Sequence, residues 1–312
     1  MTTEAQHRKR EALGMWLGLL GVAIFALTLP MTRLATGTVD QPLLSPWFIT
    51  FARAALAGGL SIAFLVLTRS PRPTRAQFKP LAWATLGNCI GFPVLLGFAL
   101  RHVPSGHAAV FTALLPLTTA AMAAWVLHQR ARLGFWLFAG LGASLVVGFA
   151  VIRATQHAQG FALEWADLAL IGAIISAAIG YVYGAQITPT LGAERVICWV
   201  CVLALPVTVP GTLLTWPDTP APVSAWLALL YVGVFSMWAG FFAWYRGLAI
   251  GGALKVSQVQ LVQPFISILA AVPLLGEPLE TMTLGFTLAV VATVFAGKRF
   301  AAGSPSPRAA LT

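Results

Sequence analysis

Apolar runs long enough to cross a bilayer follow one another along almost the whole chain, separated by brief polar punctuation. Ten can be drawn, at 13–32, 46–68, 78–99, 104–127, 133–152, 166–187, 194–215, 223–247, 253–275 and 280–298. At about 1.5 Å rise per residue, roughly 20 residues cover the hydrocarbon core. The connections carry Pro, Gly and charge, as in Arg69-Ser70-Pro71-Arg72-Pro73, His128–Arg132, Trp216–Pro222 and Gly276-Glu277-Pro278. The pattern predicts an all-α polytopic membrane protein.

One run breaks the apolar rule. In Gly251–Glu277, a helix at ~100° per residue places Ser257, Gln260, Gln263, Pro264 and Ser267 on one face. Pro264 has no N–H, so the Gln260 carbonyl is expected to lose its helical donor. Such polarity in hydrocarbon is costly unless it faces protein or water. The same face recurs 148 residues earlier as Ala109, Thr112, Pro116 and Thr119. With that offset Asn88 aligns with Ser236, and with an offset of 151 Leu20-Gly21 aligns with Ile171-Gly172. These matches predict two copies of a five-span unit, about 13–152 and 166–299, around a shared site. Five is odd, so the second copy enters from the opposite side and the repeats are inverted. A short tail at 1–12 and a polar, disordered tail at 300–312 complete one domain.

Composition agrees, with 58% hydrophobic and 9% charged residues, against roughly 25% charged in soluble domains. The net charge of +10 would suggest nucleic acid, but topology explains it better. With the N-terminus in the cytoplasm, fifteen Lys and Arg fall on that side and three (Arg33, Arg101, Arg153) on the other. Both termini are therefore expected in the cytoplasm, and Arg53 alone is left inside a span. The Arg8-Lys9-Arg10 start resembles a signal peptide, but the run from Leu13 to Pro30 is long for one and reads as an uncleaved first span. Cys89, Cys198 and Cys201 lie in apolar runs and read as buried thiols.

Candidate chemistry is that of a binding cavity. Gln260 and Gln263 lead, with Thr112 and Asn88 behind them. Pro30, Pro93, Pro116 and Pro264 are expected kinks or hinges in helices that line a cavity with moving walls. Trp238, Phe241 and Tyr245 on span eight, and Ser176 and Tyr183 on span six, are candidate walls for a flat apolar side chain. All nine acids fall at span ends or in loops, so no mid-membrane carboxylate is expected to couple transport to protons or sodium. His107 and Lys255 occupy equivalent positions and are expected to snorkel to opposite interfaces. Arg53 is expected to pack against a carbonyl or helix C-terminus. Gly140, Ser144 and Gly148, like Gly285, Ala289, Thr293 and Gly297, form small-residue faces for close packing within the chain or in a homodimer. No nucleophile–base pair, metal cluster or phosphate loop is present, so neither catalysis nor a cofactor or metal is expected.

Ala99-Leu100 before Pro116, Leu248-Ala249 before Pro264, Gly276-Glu277 and Arg53-Ala54 resemble the EamA-type carriers of the drug/metabolite transporter superfamily. The resemblance covers about 13–299, although His128-Gln129 replaces Gly-Glu in the first half. Within the superfamily the chain looks similar to YddG-type exporters of aromatic and other neutral amino acids. That resemblance implies alternating-access transport, as exporter or facilitator, in a bacterial inner membrane, with a neutral amino acid and the lipid bilayer as partners and no nucleic acid. Another metabolite or drug on the same fold, or a membrane receptor or enzyme, are the alternatives; a phosphorylated solute would call for Lys or Arg deep in the cavity, for which Arg53 and Lys255 are the only candidates.

Overall fold

The computed structural model describes residues 2–126, 133–156, 165–251 and 257–298. Lys255, His128–Arg132 and the 300–312 tail lie outside these. Among the described residues the chain is helical, with one isolated β-bridge between Gly37 and Pro42. Seven helical segments are long and apolar enough to cross a membrane: α1 (Ala12–Thr36), α2 (Pro46–Leu67), α3 (Arg75–His102), α4 (Ser105–Val126), α6 (Trp165–Leu191), α7 (Ala193–Leu214) and α8 (Val223–Gly247). Three shorter apolar helices join them: α5 (Leu133–Phe149), α9 (Val259–Leu275) and α10 (Thr281–Gly297). The helix of α1 already begins at Thr2, so most of the expected 1–12 tail continues the first helix.

The termini of these helices follow local chemistry. Pro46 opens α2 where a missing N–H costs nothing, and Ser45 Oγ accepts from the Phe48 amide at 3.0 Å. Gly276 ends α9 with φ +67°, the left-handed turn that a side chain would resist.

Five of the helices are broken at mid-length. α1 turns at Leu27 and restarts at Thr28. α4 stops at Thr112 and restarts at Leu115. α3 and α8 pass through π-helical stretches, Leu86–Gly91 and Tyr231–Ala239. α9 is 3-10 helical over Ser257–Val262 and α-helical only from Gln263. Pro30, Pro93, Pro116 and Pro264 each fall in the first turn of the helix after a break. A first-turn N–H makes no bond within its own helix, so proline fits there and fixes where the new helix starts, at the cost only of a donor to the helix before the break. The expectation of one kinked α-helix through Pro264 is thereby corrected. In 3-10 geometry carbonyls bond three residues on, so the stretch before Gln263 does not rely on the amide proton that Pro264 lacks.

Each helix of the first five packs against one of the second five: α1 with α8, α2 with α7, α3 with α6, α4 with α9, α5 with α10. Exchanging every helix for the one five places away leaves this pairing unchanged. α1 and α8 approach backbone to backbone. A Cβ on Gly247 would lie 2.7 Å from the Gly18 nitrogen and 2.9 Å from the Gly14 oxygen. α5 meets α10 through Gly142, whose added Cβ would lie 3.2 Å from Thr293 Oγ1, and through Gly297 against Phe138. The expected face of Gly140, Ser144 and Gly148 points away from this contact, with open space at both glycines. Two residues along a helix is about 200°, so Gly142 and the Gly140 stripe lie on nearly opposite sides.

Candidate functional site

The breaks converge. Where α1, α3, α4, α6, α8 and α9 are closest to the middle of their length, they enclose a cavity of about 40 Å³. Asn88 and Phe92 of α3 line it, with Thr112 and Leu115 of α4, Phe241 and Ser236 of α8, and Gln263 of α9. α1 contributes Phe25 and Thr28, and α6 contributes Ala177 and Tyr181. A crevice of about 10 Å³ adjoins it between α4 and α9, sharing Thr112, Leu115 and Gln263 and adding Gln260, Pro116 and Pro264. Gln260 lies in the 3-10 stretch and Gln263 opens the α-helix after it, and both line the crevice. Among the described residues neither glutamine amide is hydrogen-bonded to another side chain.

Four of the sequence candidates lie elsewhere. Tyr183 stacks on Trp83, ring centroids 6.0 Å apart, off the cavity. Ser176 faces α3: a Cβ on Gly91 would lie 2.8 Å from its hydroxyl. Trp238 packs on Phe64 and Phe242, at 6.4 and 4.7 Å. Tyr245 lies one turn beyond the cavity, 5.4 Å from the Phe241 ring. For Trp238 and Tyr245 helix rotation explains the difference, whereas Ser176 and Tyr183 lie on α6, an unbroken α-helix that presents Ala177 and Tyr181 to the cavity instead. The π-helical turns of α3 and α8 each insert a residue, so a 100° wheel drawn through them drifts. Pro30 and Pro93 lie at helix restarts beside the cavity rather than on its wall. Ser267, which shared the polar face, instead donates to the Ala26 carbonyl at 2.6 Å. Ala26 is the residue whose helical donor Pro30 removes, so one proline-freed carbonyl is satisfied by the helix carrying another proline.

The sequence reading missed the most polar part of the wall. Arg53 of α2 is 3% exposed and lines the cavity. Its Nη2 donates to Ser236 Oγ at 3.2 Å, and Ser236 Oγ is 2.7 Å from Thr28 Oγ1. Its Nε has no partner. It therefore does not settle on a helix C-terminus or a backbone carbonyl. The signal was present in the charge pattern: Arg53 was the one basic residue that the inside–outside alternation could not place. Ser236 could have been found as the repeat partner of Asn88.

Among the described residues, packed groups flank the cavity on two sides. Towards the N-terminal end, Phe25, Tyr181 and Tyr245 surround Phe241 at centroid distances of 5.0, 6.3 and 5.4 Å. At the opposite end Glu277 binds four groups. It accepts from the Ser105 amide at 2.8 Å, the Ser105 hydroxyl at 2.9 Å and the Gly106 amide at 3.1 Å, and pairs with Arg33 at 3.7 Å. A carboxylate at the N-terminus of α4 also meets the positive end of that helix. Arg33 donates in turn to the Leu100 and Val103 carbonyls, and Arg101 to those of Thr36 and Leu44. His107 does not snorkel: it is buried, 2.7 Å from Asp167 at the start of α6. A cavity this small admits a few water molecules, since each needs about 10–15 Å³ by the same measure. A site for a drug-sized ligand needs several hundred, so the cavity among the described residues is smaller than such a site.

Comparison with known proteins fits this geometry. The model of the EamA-like transporter family matches the chain twice, over residues 12–152 and 164–296. The uncharacterized transporter YdeK of Bacillus subtilis is 39% identical over 92% of this chain and 97% of its own. A probable terminal-alkyne amino-acid exporter of Streptantibioticus cattleyicolor is 26% identical over 91% of this chain and 93% of its own. The uncharacterized inner membrane transporter YedA of Escherichia coli is 28% identical over 81% and 82%. A solved crystal structure, 20% identical, matches with a TM-score of 0.61 over 93% of this chain and 98% of its own, a likeness of fold alone.

Proposed function

The chain belongs to the EamA-like transporter family, and from that premise we propose that it carries neutral, chiefly aromatic, amino acids across a bacterial inner membrane. It is a membrane transporter; the substrate and the mechanism are the proposal. The observation that carries it is the central cavity, where amides and hydroxyls from both halves face aromatic rings. A zwitterion needs its two ends solvated, and Gln263, Asn88, Thr112 and Ser236 offer donors and acceptors without a competing acid. Phe25 and Phe241 offer a flat apolar wall. The relative described as an amino-acid exporter supports the same substrate class.

The helix pairing, unchanged on exchanging the halves, supports reading the ten helices as two inverted repeats with both termini cytoplasmic. Alternating access then proceeds by parting the halves at one end while the other stays shut. The Arg33–Glu277 contact and the aromatic layer at Phe241 are the candidate barriers on the two sides of the cavity. Among the described residues no acid lines the cavity, which supports a facilitator that releases accumulated solute down its gradient. Counterflow in proteoliposomes with a panel of labelled amino acids, with and without a pH gradient, tests this. Exchange of aromatic amino acids without a proton gradient is the expected result. No exchange of any amino acid would remove the substrate assignment, and an absolute need for protons would remove the facilitator.

A further inference from the structure

We infer that Arg53 is the anchor for a substrate carboxylate, so that the solutes this cavity accepts share a carboxylate and an uncharged side chain. The inference rests on reading the cavity as the transport site.

Arg53 stands out among the buried cations by what surrounds it. Arg33 reaches two carbonyls and Glu277, and Arg101 reaches two carbonyls. The guanidinium of Arg53 has five N–H donors, and one hydroxyl, Ser236 Oγ, meets it. That hydroxyl is shared with Thr28. Among the described residues that line the cavity no carboxylate stands beside Arg53. Among the described residues the carboxylates seen in ion pairs are committed elsewhere: Glu277 to Arg33, Asp167 to His107, Glu194 to Arg246. An arginine is effectively always protonated. A buried, permanently charged group with no counter-ion and an unused Nε is an unfavourable arrangement unless an anion visits it.

The shape of the site favours a carboxylate. The planar guanidinium fork matches two carboxylate oxygens at once. Thr28 and Ser236 stand beside it with hydroxyl protons. Across the cavity the polar groups are neutral: Asn88, Thr112 and Gln263. They accept from an ammonium or a hydroxyl on the same solute, but they add no charge. One cation therefore balances one negative charge. A phosphate monoester, at roughly −1.5 to −2 near pH 7, would leave charge uncompensated.

Esters and amides of one amino acid test this on the unaltered protein. In counterflow, the amide and methyl ester of an exchanged aromatic amino acid should compete at least about 10-fold more weakly than the free acid. The matching 3-arylpropionate, which keeps the carboxylate and lacks the ammonium, should still compete. Arg53→Gln should raise KM for the acid about 10- to 100-fold while leaving competition by the ester unchanged. Arg53→Lys, with the charge but not the fork, should fall between. Equal competition by acid, amide and ester overturns the anchor, even if amino acids are exchanged. So does an Arg53→Gln protein that loses acid and ester alike, which would mark a purely structural link between α2 and α8. Exchange of arylpropionates without amino acids would retain the anchor and overturn the amino-acid assignment. If no carboxylate in the panel is exchanged or raises the Tm of the detergent-purified protein, the anchor is wrong.

Discussion

At the residue scale, polar groups on the helix faces divide into those that satisfy the fold and those left for a ligand. Ser267 belongs to the first kind, because it answers a carbonyl that Pro30 had orphaned. Gln260 and Gln263 belong to the second, with amides that face the cavity and its crevice. Removing a hydrogen-bonding group that meets the solute costs about 0.5–1.5 kcal/mol, or roughly 2- to 10-fold. Gln263→Ala is therefore expected to lower the initial rate of amino-acid exchange by that factor at equal protein in the membrane. Tyr183→Phe, on a ring stacked against Trp83 outside the cavity, should leave the rate unchanged. Measuring both rates in the same vesicle preparation separates a cavity role from general packing. The sequence placed Gln263, Asn88, Thr112 and Phe241 near one another because proline and repeat offset locate a helix break independently of side-chain direction. It could not place Trp238, whose direction depends on the rotation that a π-turn adds, or Tyr183, whose face of α6 is decided by packing against Trp83.

At the element scale, the broken helices build the cavity, and their packing leaves little slack. α3 meets α6 where Gly87 and Gly180 allow backbone contact: a Cβ on Gly87 would lie 2.4 Å from the Ser176 carbonyl. A Cβ on Gly180 would lie 2.2 Å from Asn88 Oδ1. Gly180→Ala should therefore push Asn88 and its π-turn out of place and destabilise the protein by about 1–3 kcal/mol. Within 4 Å that Cβ meets Asn88 side-chain atoms as its three nearest neighbours. Adding Asn88→Ala should thus restore thermal stability in detergent, without restoring full exchange. Failure of the second substitution to rescue the first would place the clash elsewhere in the α3–α6 contact. None of this was visible in the hydrophobic pattern, which marks α3 and α8 as apolar and says nothing of their π-helical turns. The repeat offset did relate Asn88 to Ser236, and both residues lie in those turns.

At the scale of the whole molecule, the family assignment and the helix pairing describe two similar halves joined across a small polar centre. The alternation of basic residues and the run lengths made the apolar helices legible, with ends that differ by a few residues from those described. The contact at the Arg33–Glu277 end was not legible, because it depends on Ser105, Gly106 and Glu277 meeting across 171 to 172 residues of chain. If solute passes by parting of the halves, that end must open in each cycle. A link between α4 and α10 tests this while leaving Arg33 and Glu277 in place. A Cβ on Gly106 would lie 3.7 Å from Thr283 Cγ2, within reach of a disulfide or a very short thiol cross-linker. The native cysteines at 89, 198 and 201 are buried. The decisive measurement is counterflow by the Gly106→Cys, Thr283→Cys protein before and after quantitative cross-linking, then after reduction. Exchange should fall to the level of empty vesicles when the link is closed and return when it is cleaved; undiminished exchange through the fully linked protein would contradict movement of the two halves at this end.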